Sequence, residues 1–180
     1  MQLLMVVSHQ MEDIESLGSA ALLRRAGLPV ELGTFESSLE ITTAYGTRIT
    51  ADTFIKEDIT PYDGLIIPGG KYVKETVDAD TKIKALATAF KAADKYLMAI
   101  CAGPRFLMQA DLIDGDFTNF PGAEVDQKRG TYHSAPKAMV DGKLITARSA
   151  GAVYDFVFAI IETLQGEDAL QAFKDLIKYE

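Results

Sequence analysis

The sequence predicts an α/β protein whose central sheet is mainly parallel and covered by helices on both faces. Three observations lead there. Short apolar runs without polar alternation, "LLMVV" (3–7), "GLII" (64–67) and "YLMAI" (96–100), have the composition of strands buried on both sides. They alternate with segments whose apolar residues recur at helical spacing. The third run passes directly into "CAGPRFLMQADLI", a strand turning into a helix across a few small residues. Ligands in such folds bind beyond the carboxyl ends of the strands, so the loops that follow these runs are where chemistry is sought.

Taken in order, the first strand leads through "HQMEDIES" into a helix expected from about Glu12 to Arg25, with Ile14, Leu17, Ala21 and Leu22 on one side and Gly27 as its stop. "PVELGTF" is a second strand. "TTAYGTRITAD" is Thr-rich and broken by Gly46, which predicts a small hairpin or edge element. "YDGLIIPGG" is a buried strand stopped by Pro68 and two glycines, and residues 80–93 carry Ile83, Leu86, Ala87 and Phe90 on one helical face. After residue 115 the signals weaken to short strand candidates at 117–120, 131–134 and 137–140. "DGKLITAR" (141–148) then reads as a turn and a strand. Two helical stretches separated at Gly166 close the chain.

A chain of 180 residues, 48% hydrophobic and 24% charged, with no biased or repeated tract, is expected to form one domain over 1–180. The excess of 26 acidic over 18 basic residues, a formal charge of −8, repels polyanions, so neither nucleic acid nor an anionic membrane is expected as a partner. "MQLLMVV" carries no basic leader region and no segment has the uncharged length of a membrane span, which predicts a cytoplasmic location. One cysteine permits no internal disulfide. Neither histidine, His9 nor His133, has a partner at metal-ligand spacing, so no metal and no cofactor is expected.

That cysteine, Cys101 in "AICAGP", occupies the turn between strand and helix. One reading is a small buried hydrophobe. The other is a nucleophile at a sharp turn, its thiolate favoured by the free N–H groups of a helix starting at Ala102 or Gly103. Gly69 and Gly70 end a neighbouring strand at the same edge, where glycine lets a backbone N–H approach a ligand. No Lys-Ser or Lys-Thr follows them at phosphate-loop spacing, so nucleotide binding is set aside. Glu12 and Asp13 read as first-turn acids complementing the helix dipole, and Glu15 reads first as part of the solvated helix face. Arg24 and Arg25 read as C-terminal cations on that helix, and His133 as a surface residue able to approach Cys101 from "TYHSAP".

Together, "MEDIES", "LLRRAGLPVEL", "YDGLIIPGG", "AICAGP" and "DGKLITARSAGAVYDFVFAIIE" resemble the ThiJ/PfpI superfamily, closest to the branch of the Parkinson-disease-associated protein deglycase, over roughly residues 2–165. The resemblance implies a flavodoxin-like three-layer α/β/α sandwich with the cysteine on a nucleophile elbow. It gives Cys101 the place of the reactive cysteine and Glu15 that of the carboxylic acid in contact with the sulfur, with Gly70 and Ala102 as backbone donors; His133 and Gly69, from the reading of the residues, remain auxiliary candidates. It also implies a homodimer, expected to involve the first helix with Arg25 and the stretch around Tyr45.

The chain departs from that family at two positions. "TNFP" puts Phe120 where the deglycase branch has histidine, and Ala102 stands where protease-like members have one. Both usual sources of a general base are missing, so amidase or protease chemistry is not expected, since a positioned acid–base group contributes about 10² to 10⁴ in rate. Three readings of function follow. The first is a redox-responsive or stress-protective protein whose Cys101 is thiolate at neutral pH and oxidises to sulfinic acid. The second is a glyoxalase or deglycase acting on a small carbonyl compound through Cys101 and Glu15. The third is a chaperone-like or interaction module in which Cys101 is structural.

Overall fold

In the computed structural model, which describes residues 1–179, the apolar runs become β1 (Leu3–Val6), β6 (Gly64–Ile67) and β7 (Tyr96–Ile100). Between the first two lie β2 (Val30–Thr34), β3 (Glu40–Thr42), β4 (Arg48–Thr50) and β5 (Thr53–Phe54). Beyond them come β8 (Asp116–Phe117), β9 (Thr131–Tyr132), β10 (Ala138–Asp141) and β11 (Leu144–Ala147). Seven strands form one sheet in the order β10-β11-β7-β6-β1-β2-β5, parallel throughout except for β10, which runs antiparallel to β11. The Thr-rich stretch is the expected hairpin, β3 paired antiparallel with β4.

Helices cover both faces. α1 (Ser19–Arg25) follows β1, α2 (Lys71–Thr76) and α3 (Lys82–Ala92) separate β6 from β7, α4 (Pro104–Gln109) follows β7, and α5 (Val153–Gln165) and α6 (Glu167–Ile177) end the chain. α5 packs on β10, β11 and α1, while α3 packs on β6, β7 and α4. All four residues of β1 and of β6 are buried, as parallel strands covered on both sides require. Phe90, Phe106 and Phe156, from helices of both layers, are fully enclosed. Among the described residues no helix is long and apolar enough to cross a membrane.

Three elements differ from expectation. α2 and β5 have no counterpart in the sequence pattern: six and two residues are too few for a periodic signal. The first helix is regular only from Ser19, because Ile14–Gly18 are wound as a π-helix, a wider turn that local hydrophobic spacing does not encode. At its other end Arg24 forks onto the Val30 carbonyl and meets Asp52 at 2.6 Å, so this cation ties α1 to β2 and to the turn before β5. The strand order reverses direction about β1 and β6, the place where α/β sheets open a crevice at their carboxyl edge.

Candidate active site

Three segments meet at that edge. Ile100 ends β7 and Cys101 follows with φ +62°, a left-handed conformation rare outside glycine. Both backbone groups hold it there: its N–H donates to the Ala147 carbonyl at 2.9 Å, and its carbonyl accepts from Phe120 N–H at 2.8 Å. Gly103 then packs against the end of β6. An added Cβ there would clash with the Ile67 carbonyl oxygen and lie 2.9 Å from that of Ile100. The small residues of "CAGP" are therefore needed by close backbone approach, and Pro104 starts α4 where its missing N–H costs nothing.

Glu15 comes from the π-wound segment and is 1% exposed. Its Oε2 accepts from Gly69 N–H at 3.0 Å, and its carboxyl also bonds the Cys101 side chain and the Ala150 N–H. The solvated-face reading of Glu15 is thus corrected. The π turns deliver it inward, and the segment is fastened by Glu12, whose carboxylate accepts from Glu15 N–H at 2.7 Å and whose N–H donates to Gly69 O at 3.0 Å. Burial pushes the Glu15 carboxyl up to about 7. Its hydrogen bond with Cys101 opposes this, and the nearby Glu12 charge adds to it. Burial also raises the Cys101 thiol, followed by the charge and hydrogen bond of Glu15, while the Ala102 N–H works the other way. The expectation of a thiolate favoured by the helix start is corrected accordingly: α4 is short, and desolvation beside a carboxyl outweighs it.

The other expected residues divide. Ala102 bonds the sulfur through its backbone. Of the two glycines, the one beside the sulfur is Gly69. A Cβ on it would lie 2.5 Å from Glu15 Oε2 and 2.7 Å from the Cys101 Cβ, and its N–H is committed to Glu15. Gly70 (φ +127°) instead lets the segment Gln10–Glu12 approach closely. His133 is not brought to the cysteine. Its Nε2 lies 3.0 Å from Asp116 Oδ1, and the Asp116 N–H donates to Asp141, which faces the amino end of β11. His9 accepts from Thr42 N–H. Phe120, half exposed, stands beside Cys101 through the backbone hydrogen bond already described.

Sequence reading missed the role of Asp13. Its carboxylate accepts from the hydroxyls of Thr43 and Thr47, each at 2.6 Å, and from Tyr45 N–H, locking the β3–β4 hairpin onto the segment that carries Glu15. Partial burial pushes its pKa up, but these hydrogen bonds hold it below the ordinary carboxylate value. Their contribution is present above the unfolded pKa and is lost as pH falls through the lowered one. Asp13→Ala is expected to cost roughly 1 to 2 kcal/mol in urea denaturation and to speed amide exchange at Thr47.

A model of the DJ-1/PfpI family matches residues 1–163. A Bacillus subtilis protein named putative cysteine protease YraA is 30% identical over 147 residues, 80% of this chain and 86% of that one. Deglycase PH1704 of Pyrococcus horikoshii is 27% identical over 168 residues, 92% of this chain and all of the relative. The crystal structure of Drosophila melanogaster DJ-1beta superposes with a TM-score of 0.89 at 22% identity, covering 99% of this chain and 98% of that one.

Proposed function

The chain belongs to the DJ-1/PfpI family, and from that premise we propose that Cys101, on a nucleophile elbow, is a reactive, oxidation-prone cysteine serving a redox-responsive, stress-protective role. The observation that carries this reading is the buried Glu15 hydrogen-bonded to the sulfur, with a pKa of about 7. Near neutrality Cys101 is held as the thiol by burial and by the Glu15 charge, while Glu15 gains and loses a proton. When it sits on Glu15, the carboxyl no longer opposes a thiolate and donates a hydrogen bond to it. The same bond stabilises the sulfinate that oxidation produces, whereas a carboxylate would repel it. Intact mass after graded peroxide tests this: Cys101 is expected to gain two oxygen atoms at doses that leave the methionines unoxidised. Methionine oxidation preceding any gain at Cys101 overturns it.

A second reading, glyoxalase or deglycase chemistry on a small 2-oxoaldehyde, is favoured by the relative named a deglycase and by the same proton-carrying Glu15. The thiol adds across the aldehyde carbonyl, forming the S–C bond while its proton passes through Glu15 to oxygen. Glu15 then removes the carbon-bound hydrogen and returns it to the adjacent carbon, giving a 2-hydroxy thioester. Water hydrolyses this to the 2-hydroxy acid and restores the thiol, with no external oxidant or base required. The exposed Ile14 and Tyr45, at 57% and 74% of their free surface, flank the Glu15 segment and support a homodimer joined near the site.

A further inference from the structure

A cavity of about 300 Å³ lined by Phe120, Pro121, Lys137, Arg148, Ser149, Gly151 and Ala152 adjoins the backbone segments that hydrogen-bond Cys101. Its walls are direct extensions of the groups that hold the cysteine: Phe120 donates to the Cys101 carbonyl, and Arg148 follows Ala147, which accepts from the Cys101 N–H. Lys137 and Arg148 continue the β10–β11 ladder as neighbours, linked by the Arg148 N–H to Lys137 O bond at 2.9 Å. Two cations side by side across a ladder repel each other unless something negative is shared between them. Lys137 has only a loose contact with Asp155, 3.7 Å away. The half-buried Arg148 guanidinium makes no hydrogen bond or ion pair with any described side chain. Ser149 adds a hydroxyl to the same wall, and Gly151 and Ala152 precede the thirteen residues of α5, whose positive dipole end faces this side.

We propose that this cavity binds an oxyanion, the carboxylate or phosphate end of a small carbonyl compound, and presents the compound's carbonyl to Cys101. The proposal rests on the reactive-cysteine reading and narrows its substrate class to anionic carbonyls. Arg148 provides a planar fork for two oxygens of one anion, Lys137 a second positive charge, and Phe120 an apolar wall where an ionisable side chain would otherwise compete.

The lone cysteine gives a clean test. Alkylation rates with iodoacetate, an anion, and with iodoacetamide, its neutral counterpart, are compared by intact mass. The iodoacetate-to-iodoacetamide ratio at Cys101 is expected to exceed that of a simple thiol by on the order of tenfold. It should fall to the simple-thiol value in Arg148→Gln and fall partly in Arg148→Lys and Lys137→Gln. It should hold in Lys143→Gln, which alters a cation at the opposite end of the sheet. Acetate and inorganic phosphate as competitors tell which oxyanion is preferred. A wild-type ratio equal to that of a simple thiol, or one unchanged in Arg148→Gln, overturns the proposal. Should Cys101 resist both reagents, it is the reactive-cysteine reading that fails. The cavity is then judged by the rise in thermal midpoint with phosphate or acetate, and it fails too if Arg148→Gln leaves that rise intact.

Discussion

Glu15→Gln is expected to remove a pH dependence of folding stability worth about 3 kcal/mol between about pH 4 and pH 8. The carboxyl titrates near its ordinary value of 4.5 when the chain is unfolded and near 7 when it is folded. Between those values the folded state binds the proton and the unfolded state does not. Folding stability therefore falls as pH rises through this window and levels off above the folded pKa. Glutamine has no charge to bury, so its stability curve stays level, and the difference between the two proteins shifts in the variant's favour as pH increases. Comparing that difference at the two ends of the range cancels any fixed cost of the amide against the Gly69 and Ala150 donors. Parallel stability curves for the two proteins, measured by denaturant unfolding, refute a neutral-pH titration of Glu15.

Gly103→Ala is expected to destabilise the protein by roughly 3 kcal/mol or more, a drop in thermal midpoint of the order of 10 °C. The new Cβ would meet the carbonyl oxygens of Ile67, Ile100 and Pro68, all backbone atoms at the ends of β6 and β7 that cannot rotate aside. Gly151→Ala is the control: its Cβ would find only Ser149 Oγ, at 3.8 Å, and the substitution is expected to change stability by less than about 1 kcal/mol. Thermal unfolding of the pair settles whether close approach, rather than loss of glycine as such, sets the cost. Equal midpoints would show that the strand ends yield.

Much of the frame is legible in the sequence because a short, uninterrupted apolar run bounded by polar or turn residues suits a strand covered on both faces: β1, β6 and β7 lie where "LLMVV", "GLII" and "YLMAI" place them. The position of Cys101 at a strand end follows from the same runs. Glu15 does not follow from the residues, since regular helical spacing sets it on a wet face and only the π winding turns it to the sulfur; family resemblance, not periodicity, singles it out. Gly69 rather than Gly70 stands beside the sulfur, and "PGG" does not say which N–H is already taken. His133 is near the cysteine only in a topology guessed from weak signals, and its true partner, Asp116, lies in a strand of two residues. The cations of the cavity do leave a trace. Asp141-Gly142 is a hairpin signal, and folding the chain about it brings residue 137 beside residue 148.

The left-handed backbone of Cys101 also bears on how this family can change with time. Side chains other than glycine lose on the order of 1 kcal/mol by sitting there, and the hydrogen bonds to Ala147 and Phe120 that impose the conformation do not involve the sulfur. A lineage selected for heat resistance alone gains by drifting to glycine at this position and keeps an intact fold when it does. On the reactive-cysteine reading proposed above, the cysteine at 101 is held for its chemistry against the preference of the scaffold.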